Sequence, residues 1–304
     1  LDGQEIRLAG GSGQAINPFD LPPASGADDA QGQDPLRERI AALVGLLELM
    51  VGEAERPLGP EERGVLERAL EQTYAQAGIT HDRASHGAPP PLLADLHAVL
   101  AGGADPAAGG LASRLYRYAH GSLAGLFRHR TNVALQRGCV VFHLQSLEPD
   151  LRPIGIHLIA GYLWQRVRRA RRPRLLVVDE AWSLLQYPAG GAFLAGMARR
   201  ARKYGLGLVT ITQDVADALD SVHGRTVLTN AACTLLLKQN AATVAPLAEA
   251  FGLSEGERRY LLGAAKGEGL FSCRGARLPL RVLASPREHA LATSSPRELA
   301  ARAE

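Results

Sequence analysis

Two acidic residues follow directly after an apolar run in the middle of the chain, and this arrangement has the clearest chemical meaning in the sequence. Residues 174–178 read Arg-Leu-Leu-Val-Val, and Asp179 and Glu180 come next. Such a run is typical of a buried parallel strand, and open α/β sheets bind ligands at the carboxyl ends of these strands. The pair therefore predicts a site for a magnesium-bound nucleotide. Asp179 would hold the water shell of the metal, and Glu180 would position the attacking water.

A second apolar run, residues 206–212, is followed by Gln213. If this run is the neighbouring strand, its end lies at the same edge of the sheet, and the amide of Gln213 can sense the γ-phosphate. The alternative is that Asp179 and Glu180 only cap the helix that follows their strand. The agreement between the two strand ends favours the nucleotide site.

The segment between these two strands, residues 191–203, has the period of an amphipathic helix. One arc of this helix is apolar and consists of Leu194, Met197, Ala198 and Ala201. The opposite arc is basic and consists of Arg199, Arg200, Arg202 and Lys203. Most basic arcs are solvated surfaces. The position between the two strands also fits an arginine finger that reaches a nucleotide on a neighbouring subunit, with Arg199, Arg200 and Lys203 as candidates.

The densest basic stretch is residues 164–174, which read Trp-Gln-Arg-Val-Arg-Arg-Ala-Arg-Arg-Pro-Arg. Such a stretch could contact DNA phosphates or acidic lipids. It also includes the end of a predicted helix, residues 153–169, where cations interact favourably with the helix dipole. The second interpretation is favoured.

Composition sets wide limits on the class of protein. The chain has 304 residues, 46% of them hydrophobic, and a net charge of +3, which is too small for a protein coated by nucleic acid. No apolar stretch approaches the length of a membrane span. The three cysteines, Cys139, Cys233 and Cys273, are widely spaced and odd in number, so we expect reduced core residues of a cytosolic protein rather than a disulfide.

The pattern of apolar residues divides the chain into segments. Residues 34–125 have helical periodicity and predict an all-α block, preceded by a Pro- and Gly-rich linker at residues 22–33. Residues 126–284 alternate between strand and helix patterns, which predicts an α/β fold with a mostly parallel sheet. The tail, residues 285–304, is polar, and we expect it to be frayed.

The glycine-rich segment Gly10-Gly-Ser-Gly13 is not a phosphate loop, because no Lys-Ser or Lys-Thr follows it. No Gly-Lys-Ser or Gly-Lys-Thr occurs anywhere in the chain. A phosphate loop supplies most of the backbone amides and the lysine that bind a nucleotide. We therefore interpret the sequence as part of a longer protein and expect it to bind and hydrolyse ATP poorly by itself.

Several segments together resemble the conjugative-transfer ATPases of type IV secretion systems, the TraC-like branch of the HerA–FtsK superfamily. The matching segments, in order, are Ile16-Asn-Pro-Phe-Asp20, Gly121-Ser-Leu with Thr131-Asn-Val133, Val177-Val-Asp-Glu-Ala-Trp182, residues 199–205, Ile211-Thr-Gln213, Leu235-Leu-Leu-Lys-Gln239, and Phe251-Gly-Leu-Ser with Glu257. They cover most of the chain, and their combination is more specific than any one of them.

This resemblance implies a RecA-like P-loop NTPase core, formed by residues 1–33 and 126–284, that is interrupted by a helical insertion at residues 34–125. It implies ATP and Mg²⁺ as cofactors, with Asp179 as the metal residue, Glu180 as the catalytic base or water-orienting residue, and Gln213 as the sensor. It also implies hexamers that work with other secretion-channel components at the cytoplasmic, inner face of the cell membrane and move DNA or protein.

Two other functions are compatible with these residues. One is a DNA translocase of the same superfamily that works directly on duplex DNA. The other is a catalytically inactive scaffold that docks secretion components through its helical block. The residues of the chain do not indicate whether the cargo is DNA or protein.

Overall fold

The chain forms two compact units, residues 1–211 and 212–304, and each is described by itself. The computed structural model describes residues 3–8, 12–21, 34–52, 57–133, 137–144, 147–169, 172–213, 215–293, 295 and 298. The predicted linker at residues 22–33 and part of the glycine-rich turn lie outside these residues. Within them, no helix is both long and apolar enough to cross a membrane.

The helical block of the first unit has the predicted helices, and most begin at strong capping signals. The helices are α1 Pro35–Val51, α2 Pro60–Gln76, α3 Leu93–Ala101 and α4 Pro106–Ala119. Asp34 caps α1 by accepting hydrogen bonds from the backbone N–H groups of Leu36 and Arg37. Asp105 caps α4 by accepting a hydrogen bond from the backbone N–H of Ala107. The proline that follows each of these aspartates has no N–H to satisfy, so it favours the first helical turn.

The rest of the first unit alternates between strands and helices. Its elements are β1 Gly3–Arg7, β2 Cys139–His143, α5 Arg152–Arg169, β3 Arg174–Val178, α6 Trp182–Leu185, α7 Pro188–Arg200, a 3₁₀ helix Ala201–Tyr204 and β4 Leu206–Thr210. Strand β1 pairs in parallel with β2, and β3 pairs in parallel with β4. Parallel pairing of these strands is what the alternation predicted.

One hydrophobic core joins the helical block to β1, β2 and α5. It contains residues from all four helices of the block together with Ile6, Phe19, Ile154 and Leu158. At its centre, the Tyr74 hydroxyl donates a hydrogen bond of 2.8 Å to the carbonyl oxygen of Phe19. The helical block is therefore fastened to the α/β part of the first unit by packing as well as by chain connection.

The sequence predicted that β3 is buried on both faces, but the structure buries only one of them. Its face towards α5 and α7 packs in a second core with Val167, Met197 and Leu206. On the other face, the side chains of Leu175 and Val177 are 67% and 52% exposed. Asp179 follows directly after the last residue of this strand.

The second unit contains an antiparallel sheet and short helices. Its elements are α8 Val215–Asp220, α9 Val222–Thr229, β5 Cys233–Leu237, α10 Ala241–Phe251, α11 Glu255–Gly263, β6 Glu268–Cys273, β7 Ala276–Arg281 and α12 Pro286–Ala292. The strands pair in the order β5-β6-β7. Strands β6 and β7 form a hairpin. Helix α8 is an element that the sequence analysis missed. Leu236, Leu247, Leu261 and Leu270 form the core of this unit.

The expectation of three reduced, buried cysteines is wrong. The register of β5 and β6 places Cys233 directly opposite Cys273, and the two sulfurs form a disulfide. Cys139 has a free thiol and is exposed. Forty residues separate the paired cysteines. Their proximity depends on the antiparallel pairing of β5 with β6, which the spacing of cysteines in the sequence does not reveal.

The prediction of a frayed tail is also wrong for residues 286–292, which form α12. Ser285 and Glu288 make a capping box, in which each side chain accepts a hydrogen bond from the backbone N–H of the other residue. This reciprocal cap satisfies N–H groups that a free helix end leaves unpaired. The sequence signal was Ser-Pro-x-Glu, which is a helix start rather than a disordered tail.

Candidate functional site

The two acidic residues lie in a tight turn at the carboxyl end of β3. The Asp179 carboxylate is exposed, and its Oδ1 accepts a hydrogen bond of 3.0 Å from the backbone N–H of Glu180. Glu180 is half-buried. The N-cap residue of α6 is Ala181, whose side chain makes no cap hydrogen bond.

Glu180 has an unusual backbone conformation. Its φ of 48° is in the left-handed region, which Cβ makes unfavourable for residues other than glycine. Its side chain is held in place, since the Trp182 indole N–H donates a hydrogen bond of 2.8 Å to Oε2. Backbone strain of this kind is concentrated at functional sites, where surrounding contacts impose it.

The strain at Glu180 makes a testable prediction about stability. Glu180→Gly and Glu180→Ala both remove the hydrogen bond to Trp182, but only glycine accepts the left-handed conformation without cost. We expect the glycine variant to be the more stable by about 1 kcal/mol in urea unfolding. At the exposed helical residue Glu67, the same pair of substitutions should have the opposite order, because glycine disfavours a helix interior. The same order at both positions would contradict the strained backbone.

Backbone hydrogen bonds tie the end of β3 to the end of β4. The N–H of Ile211 donates to the carbonyl oxygen of Val178 at 2.9 Å. The N–H of Ala181 donates to the carbonyl oxygen of Ile211 at 2.8 Å. The acidic turn is thus fastened to the neighbouring strand beyond the regular sheet. Gln213 follows Ile211 by two residues and is exposed, but it belongs to the second unit. Its place beside the acids stays a prediction.

The basic arc of α7 is exposed, and its apolar arc is buried, with Leu194 and Met197 almost inaccessible. The three candidate arginine-finger residues differ in their surroundings. The Arg200 guanidinium lies 4.7 Å from the centre of the Trp164 ring, and its Nε donates to the carbonyl oxygen of Gly196. All three candidates are exposed, Arg199 and Arg200 at the end of α7 and Lys203 in the 3₁₀ helix. The Lys203 Nζ lies 5.8 Å from the centre of the Tyr204 ring, so two of the three candidates contact aromatic rings of their own unit.

Part of the basic stretch, residues 164–174, is engaged within the first unit. Arg168 forms an ion pair with Glu38 on α1 at 3.0 Å. The Arg166 guanidinium lies 5.7 Å from the centre of the Tyr162 ring. Burial, together with the charges of Arg172 and Arg166, lowers the pKa of Arg174. These contacts support the structural interpretation of the stretch over a dedicated DNA or lipid surface.

Comparison with known proteins agrees with the resemblance. A family model described as the TraG P-loop domain matches residues 114–270. The solved structure of VirB4 of Thermoanaerobacter pseudethanolicus is 32% identical and superposes with a TM-score of 0.79, over 94% of this chain and 78% of that one. The chain belongs to the P-loop ATPase family of type IV secretion and conjugation systems. A search of curated proteins finds no match.

The fold also matches solved structures of much lower sequence identity. The conjugative coupling protein TrwB in its unbound form is 12% identical, with a TM-score of 0.55 over 92% of this chain and 73% of that one. TrwB in complex with a non-hydrolysable ATP analogue is 14% identical, with a TM-score of 0.51 over 93% and 67%. At these identities the likeness concerns the fold alone, which is a P-loop NTPase fold as the resemblance implied.

Two tryptophans hold candidate site residues in ways that the sequence analysis did not foresee. Trp182 holds the Glu180 carboxylate, and Trp164 holds Arg200. The signal for Trp182 was its position two residues after the glutamate, within the matching segment. Trp164 lies in a different helix from Arg200, so nothing in the spacing of the sequence pointed to it.

Among the described residues, no group of three or more His, Cys, Asp or Glu side chains is arranged to hold a metal ion. A magnesium ion bound with a nucleotide does not need such a group, because it takes one or two carboxylates and completes its shell with phosphate oxygens and water. The exposed Asp179 carboxylate fits this requirement.

Proposed function

We propose that this chain is part of an ATP-hydrolysing motor that powers substrate transfer or pilus assembly in a type IV secretion or conjugation system. The observation that carries the proposal is the turn after β3, where an exposed aspartate precedes a glutamate held by Trp182 in a strained backbone. Family membership supports the nucleotide chemistry, since TrwB, a structural neighbour, is solved with an ATP analogue.

In this proposal each residue has a separate role. Asp179 holds Mg²⁺ through water, and the ion, when bound with ATP, neutralises charge on the phosphates. Glu180 accepts a hydrogen bond from the attacking water and orients it, acting as the base. Gln213 senses the γ-phosphate. Arg199, Arg200 or Lys203 contacts the nucleotide of a neighbouring subunit.

The 304 residues contain no Gly-Lys-Ser or Gly-Lys-Thr, which is the end of the phosphate loop that P-loop ATPases use to bind a nucleotide. The motor would act as a homo-oligomer, which we propose to be a hexamer, since a trans contact requires a neighbouring subunit. Its partners would be other secretion-channel components at the inner face of the cell membrane, and its cargo DNA or protein.

A DNA translocase of the same superfamily is the second candidate, because Arg172, Arg199, Arg202 and Lys203 are exposed cations. Duplex DNA that stimulates ATP hydrolysis, with binding that falls steeply as salt is added, would favour this candidate.

The metal role of Asp179 is tested by Asp179→Asn in the intact protein. We expect affinity for ATP in the presence of Mg²⁺ to fall at least about tenfold, because the amide lacks the charge that holds the ion. Affinity measured by calorimetry with excess chelator should stay unchanged. Asp220→Asn, at an exposed residue of α8, is the matched control. If wild type and Asp179→Asn bind ATP with equal affinity in the presence of Mg²⁺, Asp179 does not hold the metal.

A further inference from the structure

An open cleft of about 340 Å³ lies between three helices of the first unit, α1, α5 and α7. None of the residues that line it belongs to the turn that carries Asp179 and Glu180. Its volume is at the lower end of the range in which proteins bind ligands or partner side chains. We call it the α1–α5–α7 groove.

The residues that line the groove are mostly small, apolar or aromatic. They include Gly45 and Gly161, and also Trp164, Phe193 and Met197. A Cβ added at Gly161 would have no heavy atom within 4 Å, so the groove is open above this glycine. Small residues let a partner approach closely, and aromatic residues supply the contact area that is typical of binding hot spots.

Arg200 gives one end of the groove a positive charge. Arg200 lies over Trp164 and has no ion pair among the residues that the structure describes. Its guanidinium has five N–H donors, of which Nε bonds to Gly196. The other titratable lining residue is His157, whose pKa is lowered by burial and by the nearby charge of Arg39, although a hydrogen bond to the backbone of Ala42 acts against this. His157 is therefore neutral at pH 7, and Arg200 sets the charge of the groove.

We propose that the α1–α5–α7 groove docks an amphipathic helix of a partner protein, whose apolar residues enter the groove and whose glutamate or aspartate pairs with Arg200. Charge complementarity selects an acidic partner, because a carboxylate satisfies the guanidinium donors bidentately on top of the tryptophan. A groove walled by helices and open to solvent suits a helix with apolar anchors at i, i+3, i+4 and i+7. The partner would contact the helical block and α7 at once.

The probe is a fluorescently labelled synthetic helix with leucines on one face flanked by glutamates, compared with the same helix carrying lysines in place of the glutamates. Fluorescence anisotropy measures its affinity for the 304-residue chain. We expect the glutamate peptide to bind and the lysine peptide to bind at least about tenfold more weakly. Arg200→Gln should lower the affinity for the glutamate peptide about threefold and reduce the salt dependence of its binding.

Gly161→Leu tests the groove itself, because leucine fills it without a clash at Cβ. We expect it to lower the affinity for the glutamate peptide at least about tenfold. Gly110→Leu is the matched control, since Gly110 lies in α4 and also has open space at Cβ. If Gly161→Leu does not fold, as judged by circular dichroism, Ala192→Leu fills the same groove from α7.

Three results would overturn the proposal. The first is equal binding of the glutamate peptide to wild type and to the groove-filled variant. The second is equal binding of the glutamate and lysine peptides. The third is self-association of the chain that the groove-filling variant abolishes, because the occupant would then be a second copy. No nucleotide is present in these measurements, so their outcome is independent of the proposed ATP hydrolysis.

Discussion

Glu180→Gln in the intact protein is expected to lower the rate of ATP hydrolysis at least about a hundredfold, while affinity for ATP with Mg²⁺ stays within about threefold of wild type. The substitution keeps the shape of the side chain. An amide oxygen can still accept the hydrogen bond from the Trp182 indole, so the strained turn should stay in place. What is lost is the negative charge and basicity that orient the attacking water and take its proton.

The measurement is steady-state ATP hydrolysis together with nucleotide affinity, followed by a substrate-transfer assay in cells. Glu67→Gln, at an exposed residue of α2, is the matched control and should leave both quantities unchanged. If substrate transfer survives Glu180→Gln, the motor function is contradicted. The function that remains is a scaffold that docks secretion components. Loss of nucleotide affinity in the variant would instead mean that Glu180 binds ATP rather than activates water.

The parts of the fold that the sequence predicted are those specified by local patterns. Strand β3 and its parallel partner β4 follow from two apolar runs separated by an amphipathic segment, and α1 follows from Asp34-Pro35. The place of Asp179 and Glu180 at the carboxyl end of β3 follows from the same pattern. Periodicity and capping residues act over a few neighbours along the chain, so one sequence is enough to recognise them.

The parts that the sequence did not predict depend on contacts between distant residues or on backbone conformation. The positive φ of Glu180 has no residue-type signal, because glutamate rarely adopts it. The stacking of Arg200 on Trp164 joins two helices, and the pairing of Cys233 with Cys273 requires the register of β5 and β6. The exposed face of β3 was missed because an apolar run indicates only that a strand is suited to burial.

Asn17→Ala is expected to destabilise the first unit by about 3 kcal/mol, although the residue makes no contact with the acidic turn. Asn17 is 2% exposed. Its Nδ2 donates to the carbonyl oxygen of Pro91 at 2.9 Å, and its Oδ1 accepts from the N–H of Phe19 at 3.2 Å. Alanine leaves both of these buried backbone groups without a partner, and each such loss costs about 1–3 kcal/mol.

This loss of stability is measured by urea unfolding, with hydrogen exchange of the backbone amides in the first unit as the probe. Asn240→Ala is the control, because Asn240 also bonds two backbone groups, the N–H groups of Ala242 and Thr243, but at an exposed helix start. That substitution should cost only about 1 kcal/mol, since water replaces the lost hydrogen bonds. Equal costs for the two would mean that burial is not the cause.

Asn17 lies in one of the segments that resemble the family, and the sequence analysis assigned it no chemistry. Besides its side-chain bonds, its backbone N–H donates to the Thr131 hydroxyl at 2.7 Å, and Thr131 lies in another of the matching segments. Asn17 therefore joins the loop after β1 to the loop before α3 and to the chain that leads to β2. A large loss of stability on Asn17→Ala, with protection from hydrogen exchange falling in the helical block and in β1 together, would show that this residue couples the two parts of the unit.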